Sequence, residues 1–191
     1  PKTAFSSDLS AKLAGKDVAY TAAFVSNLAK INSKGNVQPK TMAMDLDLQL
    51  AIEKLELLKP ITGAPLRGPL ILSATAKGDE RSLKVEGKAK VAGADAGFNA
   101  VLASFAPRSI KAKIADMQLG KILYMTEQPH YADGLLNVDV NIDDARQGRL
   151  SGKILSSVTQ GRVDTKTVEK AFEFTAMPKT TFTVKTVSVL S

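Results

Sequence analysis

The sequence predicts a mostly β fold: a curled antiparallel sheet, open as a groove, built from internal repeats of about 70 residues with short helices between strands. Three observations lead there. Long stretches alternate apolar and polar residues with a period of two. Clusters of Gly, Asp and Ser separate those stretches. A proline–basic–hydroxyl tripeptide also recurs at nearly equal spacing.

The clearest strand is TMAMDLDLQLAI, which sorts Met42, Met44, Leu46, Leu48, Leu50 and Ile52 onto one face and Asp45, Asp47 and Gln49 onto the other. A helix would scatter these residues around its circumference. Next comes AIEKLELLK (51–59), where Leu55 and Leu58 stand three apart, so a short amphipathic helix is expected to end at Pro60. PLILSATAK then repeats the alternation with Leu70 and Leu72, and SLKVEGKAKVAG does so with Leu83 and Val85 against Lys84 and Glu86. SIKAKIAD is a shorter strand. MQLGKILYMTEQ (117–128) reads as a second helix, with Pro129 just beyond it. LLNVDVNID sets Leu136, Val138, Val140 and Ile142 against Asn137, Asp139, Asn141 and Asp143. RLSGKIL, with Leu150 and Ile154, AFEFTA and TFTVKTVSV complete the strand-like set. GDERS, AGADAG and DDARQGR supply the turns of an antiparallel meander. Each strand has one wet and one dry face, as in a sheet covered on one side only.

The repeat rests on Pro39-Lys40-Thr41, Pro107-Arg108-Ser109 and Pro178-Lys179-Thr180, whose prolines stand 68 and 71 residues apart. Each precedes an alternating strand. After the first two, the strand runs into a helix and a proline-bearing loop, with Pro65 matching Pro129. LAGKDVAY (13–20) also echoes VAGADAGF (91–98). About two and a half units with ragged ends are expected, in one domain over 1–191 with junctions near 39, 107 and 178. The abrupt start at PKTAF and the stop within a strand-like segment read as a piece of a longer protein.

Composition narrows the function classes. A chain of 191 residues can bury a core without staples, and no run reaches the eighteen or more apolar residues of a membrane-spanning helix. Cysteine is absent, which removes disulfides and thiol chemistry. The net charge of +7 comes from scattered residues such as Lys84, Lys88, Lys90, Lys111, Lys113 and Lys153, a pattern read as a solvated face.

Catalytic constellations are missing. The one histidine, His130, lies in the loop QPHYAD with no second His or Cys to complete a zinc site, and no G-x-S-x-G elbow accompanies it. Asp139, Asp143 and Asp144 lack calcium-loop spacing and read as an acidic turn. Phosphate-binding glycine loops are absent. No enzyme, no metal and no cofactor are expected. Nucleic acid is set aside as well, because the Phe and Tyr residues do not line any basic strand face.

The dry face remains: Met44, Leu46, Leu48 and Leu50, then Leu70, Leu72, Leu83 and Val85, then Leu136, Val138, Val140, Ile142, Leu150 and Ile154. Folded onto a second sheet it is an ordinary sandwich core. Left open it is an apolar trough suited to acyl chains. Repetition favours the trough, because stacked repeats extend a one-sided sheet without closing it.

The run of short alternating strands, the glycine-punctuated LKVEGKAKVAG and the helix-to-loop segments LELLKPITGAPLRGPL and LGKILYMTEQPHYADGLL resemble those of AsmA-like and TamB-like bacterial envelope proteins, the repeating β-groove lipid-transfer type. The resemblance implies a periplasmic segment of a protein anchored in the inner membrane of a Gram-negative cell. Its groove would bind or conduct phospholipid or other acyl chains toward the outer membrane. No catalytic residues come with it. Two alternatives stand beside this one: an assembly module pairing with outer-membrane β-strand clients, and a structural sandwich serving as scaffold or adhesion domain. Pairing of two copies through free sheet edges is a further expectation.

Overall fold

The computed structural model describes residues 4–146 and 149–191. Eleven strands form one antiparallel, curled and unclosed sheet, in which every strand pairs with its sequence neighbours in the order β1 to β11. The strands are β1 (Phe5–Ala14), β2 (Asp17–Ser26), β3 (Lys30–Gln38), β4 (Ala43–Ile52), β5 (Leu70–Gly78) and β6 (Leu83–Val91), followed by β7 (Ala94–Ala103), β8 (Ala106–Gln118), β9 (Ala132–Asp144), β10 (Ser151–Val163) and β11 (Thr181–Leu190). The helices are α1 (Lys59–Thr62), entered through a 3-10 turn at Leu55–Leu58, α2 (Leu119–Met125) and α3 (Thr165–Phe172).

The two ends of this meander differ. The connections after β4, β8 and β10 carry the helices, and all three lie at the same end of the sheet. The opposite end has shorter connections without helices, among them two-residue turns at 15–16 and 104–105. At the helical end, Ala92 and Gly93 adopt φ of 50° and 77°, as a two-residue hairpin that follows the strand twist requires.

Register keeps the apolar residues together. Directly opposite residues of an antiparallel pair share a face, so each pairing hands the dry face to the next strand. Two irregularities adjust it. An extra residue near Asp116 (φ 54°) shifts β8 against β9 between Ile114 and Met117. Without that bulge Met117 would fall on the wet face; with it, Met117 stands opposite Leu136. A similar shift at Gln160 (φ 53°) brings Gly161 opposite Phe182.

A single layer makes a thin core. Ile52, Leu55, Ala92, Ala94 and Met117 are buried at the helical end, and Leu83 is buried at the other. Ile122 and Met125 of α2 pack with Val91, Ile114 and Leu136 against the Ala92, Ala94 and Met117 cluster. The first helical connection joins this plug: the Arg67 amide donates to the Met125 carbonyl at 2.9 Å, and Arg67 Nε meets Glu127 Oε1 at 3.1 Å. The Asp164 amide donates to the Tyr131 carbonyl, linking the entry of α3 to the same group.

Several sequence expectations are corrected. The strands form one sheet rather than two packed layers, so the sandwich core is not built. β4 runs through Ile52, and Pro60 sits inside the first turn of α1 instead of ending a helix. Proline lacks the amide that a first helical turn leaves unbonded, so it starts helices as readily as it stops them. Met42 lies in the β3–β4 turn with φ 55°, off the strand. Leu150 precedes β10 and is exposed. AFEFTA is the end of α3 and its exit, with Glu173 as a left-handed cap, not a strand. Pro178-Lys179-Thr180 therefore follows a helix, whereas Pro107-Arg108-Ser109 lies within β8 itself. Residues 147 and 148 of the DDARQGR turn and 1–3 of the PKTAF opening lie outside the described residues.

Candidate functional site: an uncovered apolar face

One row of opposed residues crosses the whole sheet. It runs Leu9, Ala22, Ser33, Leu48, Ala74, Gly87, Phe98, Ala112, Val140, Ile154 and Ser188, one residue from each strand. A parallel row passes through Leu46, Ala76, Val85, Ala100, Ile110 and Ile142. Another passes through Leu50, Leu72, Ala89, Ala96, Ile114 and Val138. Met44 stands opposite Val37, Leu70 opposite Ile52, Leu83 opposite Leu102, and Leu136 opposite Met117 and Val158. The structure thus gathers thirteen of the fourteen residues read as groove lining onto one face; Leu150 is the exception.

Sequence reading missed the part of this face on β1 to β3. There Val18, Tyr20, Phe24, Ile31 and Val37 share the face with Ala22, Ser33 and Gly35, and Ala19, Ala23 and Val25 on the other face of β2 blur the period. Phe98 was missed too. A side chain added at Gly87 would run into the Phe98 ring on the neighbouring strand, so the glycine makes the room that the ring fills.

Among the described residues no second sheet packs on this face. From β2 to β10 its large apolar side chains are nevertheless half-buried or buried. Of the apolar residues that point the other way, Val25, Ile71 and Leu155 are exposed, Ile71 at 52%, whereas Val101 and Leu135 are half-buried. Curvature accounts for the difference: side chains on the inner side of a curl crowd one another, while those outside spread. At the β1 edge the shielding fails, and Leu9 and Leu13 are 75% and 73% exposed.

The opposite face is polar and salt-bridged. Lys77 Nζ meets Asp45 Oδ2 at 2.8 Å, Lys30 Nζ meets Glu53 Oε1 at 3.2 Å, and Lys34 Nζ meets Asp47 Oδ2 at 3.7 Å. The hydrogen bond and charge of Asp45 raise the pKa of Lys77. A shallow recess of about 1200 Å³ lies here, among Lys34, Lys88, Lys111 and Lys113 and the carboxylates Asp47, Glu86 and Asp139. A twisted sheet is hollow along one diagonal on each face, and long polar side chains wall this hollow. Its lysines and carboxylates nearly balance, so it makes no strong anion site.

His130 Nε2 lies 3.1 Å from Asp133 Oδ1 at the rim of an open recess of about 930 Å³, with Arg162 on the other oxygen at 3.9 Å. No nucleophile among these residues is held for reaction. Asp144, one of the acidic trio, is occupied by Arg146, whose guanidinium and backbone amide hold its carboxyl far below the usual range. Among the described residues no group of His, Asp or Glu is placed to hold a metal ion. No helix among the described residues is long and apolar enough to cross a membrane.

No protein-family model, curated protein or solved structure matches the chain.

Proposed function

We propose that this chain is a non-enzymatic lipid-binding segment whose curled sheet shelters acyl chains along its apolar face. The observation that carries this reading is the row of opposed residues from Leu9 to Ile154, apolar on every strand but β3, where Ser33 stands, and covered by no second sheet among the described residues. An acyl chain laid there leaves water at about 0.8 kcal/mol per CH₂, the driving force for retention. Helices crowd one end of the strands, and the face continues from strand to strand, so the trough runs across the strands. The resemblance to AsmA-like and TamB-like proteins supports a periplasmic setting, in a protein anchored to the inner membrane of a Gram-negative cell and carrying lipid toward the outer membrane. The reading includes no cofactor and no nucleic acid.

The test is native mass spectrometry of the purified chain followed by lipid extraction, comparing it with Leu48→Asp. Co-purifying phospholipid that disappears in Leu48→Asp, while the circular dichroism stays that of a sheet, is the expected result. A clean apo mass and no uptake from added phospholipid would sink it.

A second reading, a module that pairs with outer-membrane β-strand clients, would use the outer strands β1 and β11, each of which has one neighbour among the described residues. It predicts that Thr186→Pro in β11 removes client binding while Leu48→Asp leaves it intact.

A further inference from the structure

The polar face carries an apolar interruption at the helical end. On β5 the outward residues after Ile71 are Ser73, Thr75 and Lys77, yet Ile71 itself stands 52% exposed. Ile71 pairs with Lys90 of β6 and Lys90 with Asp95 of β7, so the three form one row on that face. Beside the row α2 brings Tyr124, 59% exposed. Together with Lys121 and the turn at Gly93, these side chains wall a recess of about 570 Å³.

The recess is built from the middle of the chain. Its lining lies between residues 68 and 125, and strands pair on either side of it. Its walls are tied together. The Leu55 amide donates to the Gly68 carbonyl, and the Arg67 amide to the Met125 carbonyl, both at 2.9 Å, which fixes the stretch before β5 against α2. Little ordering is left to be done when a ligand enters.

Charge sets what can enter. Gly93 has φ 77°, and a Cβ built there would come within 3.2 Å of Lys121 Cδ, Cε and Nζ. The glycine thus leaves room for the lysine stem to lie along the turn, which holds the ammonium beside the recess. The acids around α2 have other partners: Asp95 faces Lys90 at 3.8 Å, Glu127 faces Arg67 at 3.1 Å and Asp133 faces His130 at 3.1 Å. No carboxylate among the described residues pairs with Lys121. An apolar recess of this size with one unneutralised ammonium in its wall suits a small molecule with an apolar body and one negative charge. We propose that it binds a single-chain carboxylate amphiphile, with the carboxylate on Lys121 Nζ and the alkyl chain against Ile71 and Tyr124. The site lies on the opposite side of the sheet from the trough and does not depend on it.

The test uses sodium dodecanoate below its micelle concentration, followed through the backbone amide resonances of the whole chain. Saturable shifts at Gly93 and Lys121 are expected. K121Q should weaken dodecanoate binding roughly tenfold, because it removes a charge-assisted contact, and should leave the affinity for dodecanol unchanged. I71Q, at an exposed position, should weaken dodecanoate and dodecanol alike. Leu48→Asp, which tests the trough, should leave the shifts at Gly93 and Lys121 in place, so the two sites fail separately. No saturable shift at Gly93 and Lys121, a K121Q or I71Q affinity equal to that of the wild type, or dodecanoate binding that vanishes in Leu48→Asp but persists in K121Q would overturn the proposal.

Discussion

Leu70, Ile71 and Leu72 are consecutive residues of β5 with nearly the same chemistry and opposite fates. The two leucines lie on the apolar face and are half-buried, whereas Ile71 lies on the opposite face and is 52% exposed. Among the described residues no second sheet packs over either face, and α2 covers only the end at Met117 and Leu136. The shielding of the apolar face away from α2 therefore comes from neighbouring side chains on the strands to either side. β1 shows the limit of this: Leu13 points from the apolar face yet stands almost bare, because the sheet stops there. A face built this way keeps its side chains in contact with one another without sealing them off. That is the property a surface needs if it is to exchange them for an acyl chain.

Substitutions that treat the two faces differently test this contrast. The largest effect is expected on ligand retention: a charge at the centre of the apolar face, Leu48→Asp or Val138→Asp, should abolish it. Folding should survive, because the position is half-open and the carboxylate can reach water. Met117→Ala comes next. Met117 is buried under α2, so truncation should cost about 2–3 kcal/mol and lower Tm by roughly 5–10 °C in a thermal melt. Gly87→Ala should cost about 1–2 kcal/mol, since the added methyl meets both the Phe98 ring and the Ser73 carbonyl, and the ring must leave its place on the apolar face. Ile71→Thr on the outer face should change stability by less than about 0.5 kcal/mol. An Ile71→Thr penalty as large as that of Met117→Ala would mean that the outer face is covered as well.

The sequence displayed the architecture where side chains are large. Leu46, Leu48 and Leu50 against Asp45, Asp47 and Gln49 leave no choice but a half-buried strand, and the structure places them so. It concealed the architecture on β2, where Ala19, Ala23 and Val25 on the outer face reduce the contrast with Val18, Tyr20 and Phe24 on the apolar one. α3 was hidden differently. Its exit, AFEFTA, alternates like a strand, but Asp164 caps the helix by accepting from the Thr167 amide at 3.1 Å, a bond that local capping decides and a period does not. The bulge at Asp116 was equally invisible: simple parity puts Met117 on the wet face, and only pairing with β9 returns it to the core.

The most direct test of the trough is positional. A photoreactive side chain placed in turn at Leu46, Asp47, Leu48, Gln49 and Leu50, then irradiated with phospholipid bound, reports which face the acyl chain occupies. The expected result is adducts with a period of two: strong at 46, 48 and 50, and absent at 47 and 49. Uniform labelling, or adducts confined to the polar recess at 47 and 49, would contradict the account.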